Sequence, residues 1–235
     1  MQSKGRNKRE AVQGGFTMIE LMVSVVILTI VIGVVVQGLT AVQQRNTIET
    51  AKVDLTQESR QFEDQIVSDI HQSGYPSMKM FDPAGLVPPP VPITSTPNCA
   101  LYQQVSCGLV NVTPSSLQFE ADVDGSGTVS EVFIQLNPLN GPCPCIIQRG
   151  TVTKAQWIAA PGTLPVYYTE VNNVTNTNIF NGYDNGGNNV ALAGVPTNNL
   201  ASIEITLNVQ STTPDAGRVY PTITMSTAAK IHNFN

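Results

Sequence analysis

The chain has little with which to do acid–base or nucleophilic chemistry. Its 235 residues hold two histidines, His71 and His232. Neither neighbours a serine or cysteine signature such as G-x-S-x-G, so hydrolytic catalysis has no foothold and no enzymatic role is expected. No glycine-rich phosphate loop follows a strand, because Gly186-Gly187 sits in an Asn-rich stretch. The lone tryptophan, Trp157, reads as packing at a domain edge. Charge is scarce too, at 12% of residues, and uneven. Lys4, Arg6, Lys8 and Arg9 against Glu10 give residues 1–15 a net +3, which leaves −8 on the remainder of a chain whose total is −5. The other lysines and arginines are scattered singly, which excludes a basic track along a phosphate backbone and argues against a nucleic-acid partner.

What is present is a long apolar run. From Leu21 to Val36 no residue is charged, and counted from Phe16 the run is 21 residues, which as a helix spans about 30 Å, the thickness of a bilayer core. The basic residues precede it, so the positive-inside bias puts the N-terminus in the cytoplasm and everything after Val36 outside. A secretory signal peptide would have a shorter apolar region and an A-x-A-type cleavage site, and Gly33-Val34-Val35-Val36-Gln37-Gly38 is a poor substitute for one. Glu20 is the anomaly. A carboxylate at mid-membrane depth costs roughly 2.5–3.5 kcal/mol on insertion scales, so it calls for a partner.

No proline occurs before Pro76. Beyond the apolar run, Ile48, Ala51, Leu55, Phe62, Ile66 and Ile70 recur at helical spacing, which predicts one helix from about Phe16 to Gln72. Ser73-Gly74-Tyr75-Pro76 should end it, with glycine as cap and proline forbidding continuation. Asp82 to Pro97 holds six prolines and reads as an extended connection. Strand patterns follow at Ser116–Ala121 and Val129–Leu136, joined as a hairpin by the turn Asp122–Thr128, then at Val166–Glu170, Ile203–Gln210 and Tyr220–Lys230, the last two forming a second hairpin. Asn172–Asn199, rich in Asn and Gly, reads as a long exposed loop.

The cysteines, Cys99, Cys107, Cys143 and Cys145, all lie in the outward part, where an even set usually forms disulfides. Three pairings can be drawn. Cys99 with Cys107 closes a short loop and is favoured; Cys143 with Cys145 is less so, because a one-residue spacer strains the geometry. A redox or metal role for Cys143-Pro144-Cys145 lacks a second cysteine pair or histidine cluster. Asp122, Asp124, Ser126 and Thr128 stand at the first, third, fifth and seventh places of a calcium-loop-like array, but Phe133 occupies the twelfth place, where the closing glutamate belongs. A plain Asp-Gly turn is the stronger reading, although Glu131 could add an oxygen from a different geometry.

The basic leader, the junction Gly14-Gly15-Phe16-Thr17-Met18-Ile19-Glu20-Leu21, the charge-free span and the uninterrupted helix together resemble the type IV pilin-like family. The resemblance is strongest over residues 14–40 and continues at Phe62–Ile70 with Gly74-Tyr75-Pro76, and at Phe119–Gly125, where it is most like PilW-like minor pilins or the larger pseudopilins. It implies an α+β fold, a long N-terminal helix packed on an antiparallel sheet. The implied parts are a leader at 1–15, an assembly helix in the membrane at 16–37, an amphipathic continuation at 38–73 and a β-rich periplasmic or extracellular domain at 74–235.

The resemblance further implies cleavage after Gly15 by a prepilin peptidase, N-methylation of Phe16, and a role for Glu20 in setting subunit register through the new amine. Its expected partners are other pilin or pseudopilin subunits, the peptidase and an inner-membrane assembly platform. No cofactor is implied beyond the calcium reading above. The chain would sit in the bacterial inner membrane before assembly and in a filament after it. Where major pilins commonly carry a helix-kinking proline, this chain has Val36-Gln37-Gly38, with Gly33 and Gly38 the only breakers, a departure that favours a minor pilin or pseudopilin. Each glycine costs the helix about 1 kcal/mol relative to alanine.

Overall fold

A computed structural model describes residues 15–77, 80, 102–138, 142–194, 199–215 and 217–231. The Pro-rich segment, Gly14, Cys99 and His232 lie outside the described residues. The chain forms two compact units, Met1–Asn46 and Thr47–Asn235.

Helix α1 runs Met18–Gln72, 55 residues without a break. In the first unit every described residue is exposed, including the whole apolar run. By length and composition this part of α1 is apolar enough to cross a membrane. Its hydroxyls fold back on the helix: Ser24 Oγ, Thr29 Oγ1 and Thr40 Oγ1 donate to the carbonyls of Glu20, Val25 and Val36 at 2.7, 2.8 and 2.9 Å. Each is thereby satisfied within the helix, as a lipid environment requires.

In the second unit, α1 buries Leu55, Ser59, Phe62, Glu63, Ile66, Asp69 and Ile70, a stripe at three- and four-residue steps facing the sheet. The helix ends where expected. The Ser73 amide donates to Asp69 O at 3.0 Å, and Gly74 takes φ 83°, a conformation glycine adopts without strain. The Gly74 amide then donates to Glu120 O at 3.1 Å, and Asp122 N donates to Tyr75 O at 3.1 Å, which ties the helix terminus to a strand end.

The strands are β1 Leu109–Thr113, β2 Ser116–Ala121, β3 Ser130–Asn137, β4 Cys145–Thr153, β5 Tyr167–Val174, β6 Phe180–Tyr183, β7 Asn189–Val190, β8 Ser202–Gln210 and β9 Thr222–Lys230, with a short helix α2 Lys154–Ala159 between β4 and β5. All pairings are antiparallel, in the order β1-β2-β3-β4-β5-β8-β6-β7, with β9 also on β8. The core joins Phe62, Ile66 and Ile70 of α1 to inward residues of the sheet such as Leu117, Phe119, Ile134, Ile147, Ile205 and Leu207. This is the α+β arrangement expected from the sequence.

The Asn/Gly-rich stretch is corrected. Asn172–Asn199 is not simply an exposed loop: β5 continues to Val174, β6 pairs with β8, and Val174, Ile179 and Phe180 are buried. Gly182 sits within β6 because a side chain there would meet Leu192 and Leu200, each 2.7 Å from the place its Cβ would take. A glycine that reads as loop is the space into which two leucines pack.

Candidate functional site

The first turn of α1 carries the motif residues. Thr17 stands at the N-cap, and Glu20, three residues on, returns to it. The Thr17 amide donates to Glu20 Oε2 at 2.9 Å, Thr17 Oγ1 donates to the same oxygen at 3.0 Å, and the Glu20 amide approaches Thr17 Oγ1 at 3.4 Å. This is a capping box, two orphan backbone donors satisfied reciprocally. The negative side chain also lies at the positive end of the helix dipole. The sequence signal was Thr-x-x-Glu at 17–20, which the motif reading passed over. Phe16, Ile19, Glu20, Val23 and Ser24 line one shallow depression on this unit, with Phe16 exposed. The Glu20 carboxylate is therefore preorganised at the helix start, within four residues of the bond whose cleavage would create an amine.

A second polar cluster lies in the second unit. Consecutive residues of a strand point to opposite faces, so with Phe119 in the core, Glu120 points to the other side of β2, where Glu131 of β3 faces it in register. Helix α2 covers this second face. It opens with a capping box in which Thr153 Oγ1 accepts from Gln156 N and the Thr153 amide donates to Gln156 Oε1. Its first residue, Lys154, is 1% exposed and donates to Glu120 Oε2 at 2.5 Å and to Val105 O at 2.6 Å. Trp157, half-buried, packs against Phe133 with ring centroids 5.4 Å apart and ring planes tilted by 58°. Gln118 Nε2 donates to Glu131 Oε1 at 2.5 Å. The Cys107 amide donates to Glu120 Oε2 at 2.6 Å, and Ser106 Oγ donates to Glu120 O.

Two carboxylates thus share one buried site with one ammonium. Burial first, then the Glu120 charge, pushes the Glu131 carboxyl up to about 8. Asp69, buried on α1 and held by Arg149 at 3.0 Å with Gln65 Nε2 at 2.7 Å, is also raised, burial outweighing the arginine. Both groups bind protons more tightly folded than unfolded, so their stabilising contribution is fully present below their ordinary carboxylate values and is lost as pH rises. For Glu131 the window runs from about 4.5 to about 8, at up to about 1.4 kcal/mol per pH unit. Denaturant midpoints are therefore expected to fall between pH 5 and pH 8, and Glu131→Gln is expected to flatten that slope. A midpoint rising across the same window would contradict the burial of Glu131.

The Asp122–Thr128 turn uses its acids partly on itself, and Asp122 Oδ1 is buried with no hydrogen-bond partner among the described residues. Gly127 N donates to Asp122 Oδ2 at 2.9 Å and Ser126 N to Asp124 Oδ1 at 3.0 Å. Among the described residues no group of three or more His, Cys, Asp or Glu side chains is placed to hold a metal. Glu131 points into the buried cluster and not into this turn. Melting curves in excess calcium and in chelator are expected to coincide; a calcium-dependent rise in Tm would assign the turn to the cation. Thr128 and Ser126 contact each other, Thr128 N donating to Ser126 Oγ at 3.3 Å.

Cys143 and Cys145 are joined to each other, and Cys107 is disulfide-bonded. His71 is exposed at the end of α1. Sequence reasoning missed the Lys154 cluster and the Asp69–Arg149 pair, whose partners lie 34 and 80 residues apart.

Against known proteins, the chain matches one family model, the prokaryotic N-terminal methylation motif, over residues 11–36. The matched span contains the Gly15-Phe16 junction, the Thr17–Glu20 capping box and the exposed apolar part of α1 as far as Val36. No curated protein and no solved structure matches the chain.

Proposed function

We propose that this chain is a minor pilin, a structural subunit of a type IV pilus that enters the filament through α1 and sits at the tip or in the initiating complex. A prepilin peptidase would cut after Gly15 and methylate the amine of Phe16. The observation that carries this reading is the coincidence, within residues 11–36, of the methylation motif with an apolar helix that has no protein cover and one carboxylate in its first turn. Cleavage removes the +3 leader and leaves a cation at Phe16. In a filament that cation pairs with Glu20 of a neighbouring subunit, exchanging the local Thr17 contact for an ion pair that offsets desolvation and sets axial register.

The unbroken helix at Gly33 and Gly38 supports a minor subunit over a bulk one, and it equally suits a type II secretion pseudopilin. Sheared surface filaments separate the two. A minor pilin is recovered with them in small amount, and its deletion reduces their number; a pseudopilin is absent from them, and its deletion blocks export of secreted proteins. A pilus-anchored adhesin is a third reading, supported by the exposed turn at residues 185–188. Substitutions confined to that turn, which leave the buried Ile179 and Phe180 in place, would abolish adhesion with filaments intact if that reading held.

A further inference from the structure

The buried Lys154–Glu120 contact has the ingredients of a covalent bond. Nζ and Oε2 are 2.5 Å apart, both side chains are almost wholly buried, and the pair bridges α2 to β2 across 34 residues of chain. Glu131 stands opposite Glu120 in the ladder, is 0% exposed, and keeps Oε2 without a hydrogen-bond partner among the described residues. We propose that Lys154 and Glu120 join as a side-chain amide, with Glu131 as the acid that assists its formation.

The step is a condensation and needs no other reactant. Proton transfer across the short hydrogen bond turns ammonium and carboxylate into amine and carboxylic acid. The Nζ lone pair then attacks Cδ of Glu120, one C–O bond breaks, and the departing hydroxyl takes a proton from the Glu131 carboxyl. The nitrogen's surplus proton returns to Glu131, so one water leaves and Glu131 ends as it began. Burial favours each stage. Two buried charges become one neutral amide, which removes their desolvation cost, and the reacting atoms are already held together, where intramolecular reactions gain several orders of magnitude. Glu131 is suited to the role because burial keeps its proton bound up to about pH 8. The Cys107 amide, 2.6 Å from Glu120 Oε2, is placed to polarise the carboxyl under attack.

The test is peptide mass mapping of the full-length chain, purified in detergent, reduced, denatured and digested. The expected result is one branched species containing both Glu120 and Lys154, lighter by one water than the sum of its two peptides. Lys154→Arg, which keeps the cation but not the amine nucleophile, should return two separate peptides. Glu131→Gln should leave most freshly folded chains unbranched, since loss of an acid catalyst slows such a step by about 10²-fold or more. Two separate peptides of full mass from the wild-type chain would overturn the proposal and leave the contact as an ion pair. A branched species formed undiminished in Glu131→Gln would overturn the role of Glu131.

Discussion

Replacing Lys154 with methionine is expected to destabilise the β-rich unit by about 3–5 kcal/mol, enough to unfold many domains at 37 °C. Lys154 is the cation of a site that also buries Glu120 and Glu131, and Glu120 is 4% exposed. Methionine roughly preserves the packing of the aliphatic stem, so the loss isolates the charge. Left without Nζ, the Glu120 carboxylate would keep the Cys107 amide but lose its cation, and Val105 O would lose its lysine donor. Whether the wild-type contact is an ion pair or the amide proposed above, the variant leaves a buried carboxylate without its cation, and that is costly because water cannot return to it. Urea unfolding of the two chains reads the effect directly. Adding Glu120→Gln to the Lys154→Met chain should recover part of the loss, since it removes the uncompensated charge. A Lys154→Met chain within about 0.5 kcal/mol of the wild type would show that the cluster contributes nothing, the usual finding for exposed ion pairs.

The second large effect belongs to Glu20. Glu20→Ala is expected to leave leader cleavage intact and to lower incorporation into filaments by about 10²-fold, the consequence of leaving a neighbouring subunit's ammonium unpaired at about 3 kcal/mol. Thr17→Ala serves as the control. It removes the N-cap hydroxyl that donates to Glu20, at about 1 kcal/mol of helix stability, yet keeps the carboxylate free to pair between subunits. Incorporation should therefore survive Thr17→Ala. If both variants assembled normally, Glu20 would be only a helix cap, and intersubunit register would have to come from elsewhere.

The parts of the fold that were legible share one property: their signal is local. The apolar run, the stripe from Ile48 to Ile70 and the Gly74 stop are written at three- and four-residue spacing, and α1 follows them to Gln72. The Ser116–Ala121 and Val129–Leu136 alternation likewise became β2 and β3, with Asp122–Thr128 between them. What escaped was set by partners distant in sequence. Strand β6 reads as loop because Asn181 and Gly182 have poor strand propensity, yet pairing with Ile203 to Ile205 of β8 and the burial of Phe180 place it in the sheet. The strand β4 carries Gln148, Arg149 and Gly150 in its middle, which breaks alternation; Arg149 is there to meet Asp69, and Gly150 to admit Pro165, whose Cγ lies 2.7 Å from the place a Cβ would take. At the N-terminal site, Gly15, Phe16 and Glu20 could be singled out by motif, while the reciprocal Thr17 contact needed the helix start to be located first.

The central claim is that the bond after Gly15 is cut to create the amine that Glu20 serves. Mass spectrometry of the N-terminal peptide of the chain recovered from its native host tests it most directly. The account predicts a peptide beginning at Phe16 and carrying one methyl group on its α-amine. A peptide that still holds the basic leader, or one that begins downstream of the apolar run near Gly38, would contradict it.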